Sequence, residues 1–108
     1  MKIISIAQHF SETPAGRYRS DGPFSGERFR EEFLYPALLD STKVQVQLDG
    51  TLGYGSSFLE EVFGGLVREN GMSFKEIKDK LEIISSRKLY LDRAWSYMRD
   101  ADDIAKKT

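Results

Sequence analysis

The stretch Val44 to Arg68, VQVQLDGTLGYGSSFLEEVFGGLVR, constrains the fold most. Val44, Val46 and Leu48 alternate with Gln45 and Gln47, the period-two pattern of a strand with one buried face. The turn Asp49-Gly50-Thr51-Leu52-Gly53-Tyr54-Gly55 follows, rich in glycines that admit backbone shapes other residues resist. From Phe58 to Glu69, the residues Phe58, Val62 and Leu66 make one ridge and Leu59, Phe63 and Val67 the next. Both ridges recur at helical spacing and face a core. Gly64-Gly65 inside this helix costs about 1 kcal/mol per glycine relative to alanine, so the pair implies close approach to another backbone.

The flanking sequence extends this strand–turn–helix unit. Ile3–Ala7 is a compact apolar run of strand type. Residues 8–25 read as loop, within which Gly16-Arg17-Tyr18-Arg19 suits a short edge strand. Ser25 caps a first helix, with Phe24 and Phe29 as its hydrophobic staple. That helix turns Phe29, Phe33 and Leu34 inward and Glu27, Arg28, Arg30 and Glu31 outward, and Pro36 bends it before it ends near Asp40. Ser73-Phe74-Lys75-Glu76 is a capping box opening a short helix to about Lys80. Leu81–Ile84 is a third strand, and a last helix runs from about Ser86 to Lys106 with Tyr90, Ala94, Tyr97, Ala101 and Ile104 as its apolar stripe. Strands separated by helices predict an α/β fold, a small mostly parallel sheet with helices mainly on one face, in one domain spanning 1–108.

Composition excludes several function classes. Lys and Arg number 16 against 17 Asp and Glu, so no global field draws the chain to nucleic acid or an anionic membrane. Without cysteine there is no disulfide framework, thiolate metal site or Cys nucleophile. His9 is the single histidine, which leaves neither a transition-metal set nor a nucleophile–base pair to name. No window reaches the length of a membrane span. The reading is a cytoplasmic, non-enzymatic protein with no cofactor and no metal.

Two clusters carry candidate chemistry. Ser56 and Ser57 stand where the glycine turn becomes a helix. Ser57 with Glu60 has the spacing of a capping box, in which the serine only satisfies backbone amides. The same helix start offers free N–H groups and partial positive charge, which tolerate a phosphate on serine. Glu60 and Glu61 would work against such a phosphate. The second cluster is Arg17 and Arg19 with Ser25-Gly26, two arginines near a helix start that could clamp a nucleotide or small anion. The plainer account is an edge strand with solvated arginines and a capped helix, and Asp21 could equally pair with Arg17 or Arg19 on the surface.

The strand ending near Asp49, the turn, the serine pair and the apolar helix together resemble the STAS domain of bacterial anti-sigma-factor antagonists and sulfate-transporter tails. The similarity is closest to small STAS-like families of undefined function, through Gly22-Pro23-Phe24-Ser25-Gly26-Glu27-Arg28-Phe29-Arg30 and through Tyr54-Gly55-Ser56-Ser57-Phe58-Leu59-Glu60-Glu61 with Phe63-Gly64-Gly65-Leu66. It covers most of residues 15–102. In the antagonists a serine at this helix start is phosphorylated by a histidine-kinase-like ATPase, and the positional match is Ser56. The chain departs from the antagonists' D-S-S-G pattern, with Gly55 in place of the acid and Phe58 in place of the glycine. The resemblance implies a regulatory module that contacts a protein partner through Asp49, Thr51, Tyr54, Gly55, Ser56 and Glu60. Self-association through the Ile3–Ala7 strand or the last helix is a further expectation, since a short open sheet leaves edges to be covered.

Overall fold

A computed structural model of the chain describes residues 1–107. Strands β1 (Lys2–Ser5), β2 (Val44–Gln47) and β3 (Leu81–Ile84) form a parallel sheet in the order β1-β2-β3. The register pairs Ile3 with Gln45 and Gln45 with Glu82. Helical segments Gly26–Phe29, Arg30–Leu34 and Tyr35–Asp40 run on as one helix (α1, 26–40). Ser56–Leu59, Glu60–Gly64 and Gly65–Arg68 do the same (α2, 56–68). A short helix α3 (Phe74–Lys80) and a long one, α4 (Lys88–Lys106), complete the chain.

One face of the sheet is buried under the helices. Ile4, Val44, Val46, Leu48, Leu81 and Ile83 point into it and join Phe29, Leu38, Phe58, Phe63, Leu66 and Met98 in the core. The alternate residues Ile3, Gln45, Gln47, Glu82 and Ile84 lie on the open face. There Gln47 donates to Gln45 at 2.9 Å and Gln45 to Glu82 at 2.6 Å. The alternation of β2 therefore reports a one-sided sheet, although parallel strands are more often covered on both faces.

Several boundaries differ from the sequence reading for identifiable reasons. β1 stops at Ser5 rather than Ala7, because the Ser5 hydroxyl accepts the Gln8 N–H at 3.2 Å and starts a wide helical turn over Ile6–Phe10. Residues 16–19 are not an edge strand. The backbone of Gly16 and Arg17 instead accepts from Gly26 and Glu27 at the start of α1, and Asp21 accepts the N–H groups of Arg17 and Tyr18 to close a 3-10 turn at Arg19–Asp21. Asp21 thus caps a turn rather than pairing an arginine. In α1, Pro36 brings no N–H, and the ladder widens just before it so that the Tyr35 N–H reaches Arg30 O. α4 begins two residues later than expected, since Ser86 is held by Asp49.

Arg30, expected on the solvent side of α1, is buried at 2 % exposure. Its guanidinium donates to the Glu61 carboxylate at 2.8 Å, the Glu61 carbonyl at 3.1 Å and the Asn70 side chain at 2.9 Å. Gly65 makes room for it. A Cβ on Gly65 would stand 2.5 Å from Arg30 Nε. The Gly64-Gly65 pair therefore accommodates side chains, not the backbone contact its sequence suggested. That contact occurs at Gly26, where a Cβ would lie 2.7 Å from the Phe58 carbonyl oxygen. Helices α1 and α2 cross there, which fixes the first turn of α2.

Candidate functional site

The candidate site lies past the C-terminal ends of β2 and β3. Asp49 leaves β2 and accepts the backbone N–H and the hydroxyl of Ser86, each at 2.9 Å, tying the β2–α2 turn to the β3–α4 turn. Gly50 and Gly53 take positive φ, +99° and +135°, a region that disfavours other residues. The Gly53 N–H donates to the Thr51 hydroxyl at 3.3 Å, and the Leu52 N–H donates to the Glu12 carbonyl at 2.9 Å. The backbone of the turn is thereby fixed at both flanks.

Tyr54 anchors the turn from beneath. Its hydroxyl donates to the Leu48 carbonyl at 2.5 Å, its ring stacks on Phe58 and meets Tyr90 edge-on, and its N–H donates to the Tyr90 hydroxyl at 3.3 Å. Burial pushes the Tyr54 phenol up to about 12, which keeps it a hydrogen-bond donor at neutral pH. With 8 % of its surface exposed, Tyr54 acts as a support, not as the contact residue the sequence suggested. Asp49, although exposed, is likewise engaged in holding Ser86.

Above this support, Gly55, Ser56 and Ser57 are all exposed. α2 begins at Ser56, with Gly55 in extended conformation as its N-cap and no side chain capping it. Ser57 is therefore the second helical residue and not a cap, which overturns the capping-box reading. Its supposed partner Glu60 faces Arg17 and Arg68 instead. Among the described residues neither serine hydroxyl makes a hydrogen bond. The sequence reading passed over Leu52. It is 88 % exposed at the tip of the turn. Its signal was an apolar residue lying between Thr51 and Gly53, outside any periodic stripe.

Charge behind the site is internally balanced. Glu60 takes Arg17 at 2.5 Å and Arg68 at 2.6 Å, and the buried Glu61 takes Arg30 at 2.8 Å with Arg17 and Arg68 each at 3.3 Å. Burial works to raise the Glu60 carboxyl, yet hydrogen bonds from Arg68 and Arg17 outweigh it and hold the group below its ordinary range. Both glutamates are paired with arginines, so neither presents an open negative field to the turn.

The four residues proposed for an anion are arranged differently. Arg17 is held by Glu60 and Glu61, and Arg19 by Glu31 at 3.1 Å and Glu32 at 2.7 Å. Ser25 is wholly buried and its hydroxyl accepts the Arg28 N–H at 3.2 Å, while Gly26 is sealed against Phe58. The geometry supplies no unpaired cation there and lends the anion reading no support. His9 sits on the β1 side, where its Nδ1 accepts the Ser5 N–H at 2.9 Å. Among the described residues no group of three His, Asp or Glu could hold a metal ion, and no helix is long and apolar enough to cross a membrane.

A parallel three-stranded sheet with this helix start at the end of its middle strand is a STAS-like arrangement. The model of the STAS-like domain of unknown function (DUF4325) matches residues 25–90, and the chain belongs to that family. The matched span starts at the Ser25 cap and ends at Tyr90, so it encloses α1, the glycine turn, α2 and the ring that supports Tyr54. No curated protein and no solved structure matches the chain.

Proposed function

We propose that the chain is a non-enzymatic regulatory module that docks a protein partner through the 49–57 turn and the first turn of α2. One observation carries this reading: Gly55, Ser56 and Ser57 stand in solvent on a turn whose every flank is tied down. A preorganised surface loses little entropy when a partner orders it. Leu52 supplies an apolar anchor at the tip, and the free hydroxyls supply adaptable hydrogen bonds. Family resemblance points to a histidine-kinase-like ATPase as the partner.

Phosphate on Ser56 is the proposed switch. It would sit at the N-terminus of a thirteen-residue helix, where unpaired N–H groups favour negative charge. The objection from Glu60 and Glu61 weakens because arginines neutralise both. The departure at Gly55 bears on which kinase recognises the turn, not on whether the hydroxyl is reachable. The test is to incubate the protein with a histidine-kinase-like ATPase, ATP and magnesium, map the modified peptide and measure binding. Phosphate on Ser56, with binding weakened in Ser56→Asp and Leu52→Asp, is the expected result. Full binding by both variants would overturn the docking reading. Absence of phosphate with binding weakened by Leu52→Asp would remove only the switch.

A further inference from the structure

The outer edge of β1 is built to pair with a strand. In the parallel ladder Lys2 donates its N–H to Lys43 O, so Lys2 and Ile4 address β2 while Ile3 and Ser5 turn their backbone groups outward. The Ser5 N–H confirms the parity, since it points away from β2 and donates to His9 Nδ1. Among the described residues the N–H and C=O of Ile3 remain as an open donor–acceptor doublet on the edge short of His9, the arrangement that templates strand addition. Beside it runs a groove of about 540 Å³, lined by Ile3, His9, Phe33, Pro36, Ala37 and Asp40 among others. Ile3 itself is 48 % exposed, and Phe33, Pro36 and Ala37 give the groove beside it an apolar wall.

We propose that two copies of this chain associate through antiparallel β1–β1 pairing about a two-fold axis at Ile3, forming one continuous six-stranded sheet. The edge is self-complementary. A two-fold there matches the Ile3 N–H of each copy with the Ile3 carbonyl of the other, and brings the two Ile3 side chains together on the open face. It sets Lys2 of each copy beside Ile4 of the other, over the groove that Asp40 of that copy lines. Lys2 and Asp40 both border this groove, and neither makes an ion pair among the described residues. Charge complementarity thus selects a second copy over an unrelated peptide. No donor is stranded at the seam, because His9 already satisfies Ser5. The axis is normal to the sheet, so both sets of helices lie on one face and α1 faces α1 across the seam. The two 49–57 turns then point to opposite ends of the dimer. This association does not depend on the docking role of those turns.

The test is sedimentation equilibrium from micromolar to millimolar concentration. Wild type is expected to approach twice the chain mass of 12.4 kDa. Ile3→Pro removes the outward N–H together with the isoleucine side chain, a change an edge strand tolerates. It is expected to weaken association by about tenfold or more, since both hydrogen bonds of the doublet are lost. Its far-UV circular dichroism should be unchanged. Lys2→Glu should weaken association, and Lys2→Glu with Asp40→Lys should restore it. A 12.4 kDa species at every concentration overturns the proposal. So does a dimer indifferent to Ile3→Pro; disruption of such a dimer by Ile104→Glu would assign the contact to the groove between α2 and α4 instead.

Discussion

Gly65→Ala sets two physical effects against each other, and the structure decides the sign. Helix propensity alone favours alanine by about 1 kcal/mol. The added Cβ would stand 2.5 Å from Arg30 Nε, 3.0 Å from Cδ and 3.2 Å from Cζ. Arg30 has no room to yield, because its guanidinium is buried and bonded to Glu61 and Asn70. Displacing it breaks a buried ion pair, at a cost of about 3–5 kcal/mol. The net expectation is a loss of about 2–4 kcal/mol, which lowers the melting temperature by about 8 °C or more in a domain of this size. Gly64→Ala is the internal control. Its Cβ would meet the Glu60 carboxylate, the far end of a flexible, partly exposed chain, so its effect should be within about 1 kcal/mol of zero. Thermal and urea denaturation followed by circular dichroism give both values. In an Arg30→Met background the Gly65→Ala penalty should shrink, since an unbranched chain can move aside. A higher melting temperature for Gly65→Ala alone would refute the reasoning.

Other expectations follow from single contacts. Ser57→Ala should leave stability within about 0.5 kcal/mol of wild type, whereas Ser73→Ala should lose about 1 kcal/mol, because only Ser73 accepts a helix amide, that of Glu76 at 3.1 Å; urea midpoints separate them. Tyr54 has its phenol pushed from near 10 up to about 12 by burial, so the folded state holds its proton longer than the unfolded state does. Stability should therefore fall as pH rises from about 10 toward 12. Tyr54→Phe should lack that part of the fall and lose about 1 kcal/mol at neutral pH with the bond to Leu48. Asp49→Ala should loosen the two turns it joins, read as faster amide exchange at Ser86.

The strands and helix caps were legible in the sequence because they rest on local rules. Leu81–Ile84 and the Ser73 box are set by period and by a side chain reaching its own next turn. The β2 alternation likewise announced a one-sided sheet. What local rules missed was long-range. Arg30 lies at a position whose neighbours Glu27, Arg28 and Glu31 are surface charges, and only Glu61, 31 residues away, makes it a core residue. Ser57 satisfied the S-x-x-E pattern, but Arg17 and Arg68 took Glu60 out of the cap and the helix began two residues earlier, at Ser56. Tyr54 looked like a surface residue in a glycine turn, and the side chains of Phe58 and Tyr90 bury it. The serine pair was placed correctly at the helix mouth, while the exposed Leu52 beside it carried no motif.

The docking face is tested most directly by backbone amide shifts of isotope-labelled protein during titration with a histidine-kinase-like ATPase. The account predicts perturbations centred on Leu52 to Phe58, extending to Ser86 and Tyr90 through Asp49 and Tyr54. Perturbations confined to β1 or to the outer face of α4, with Leu52, Ser56 and Ser57 unmoved at saturation, would contradict it.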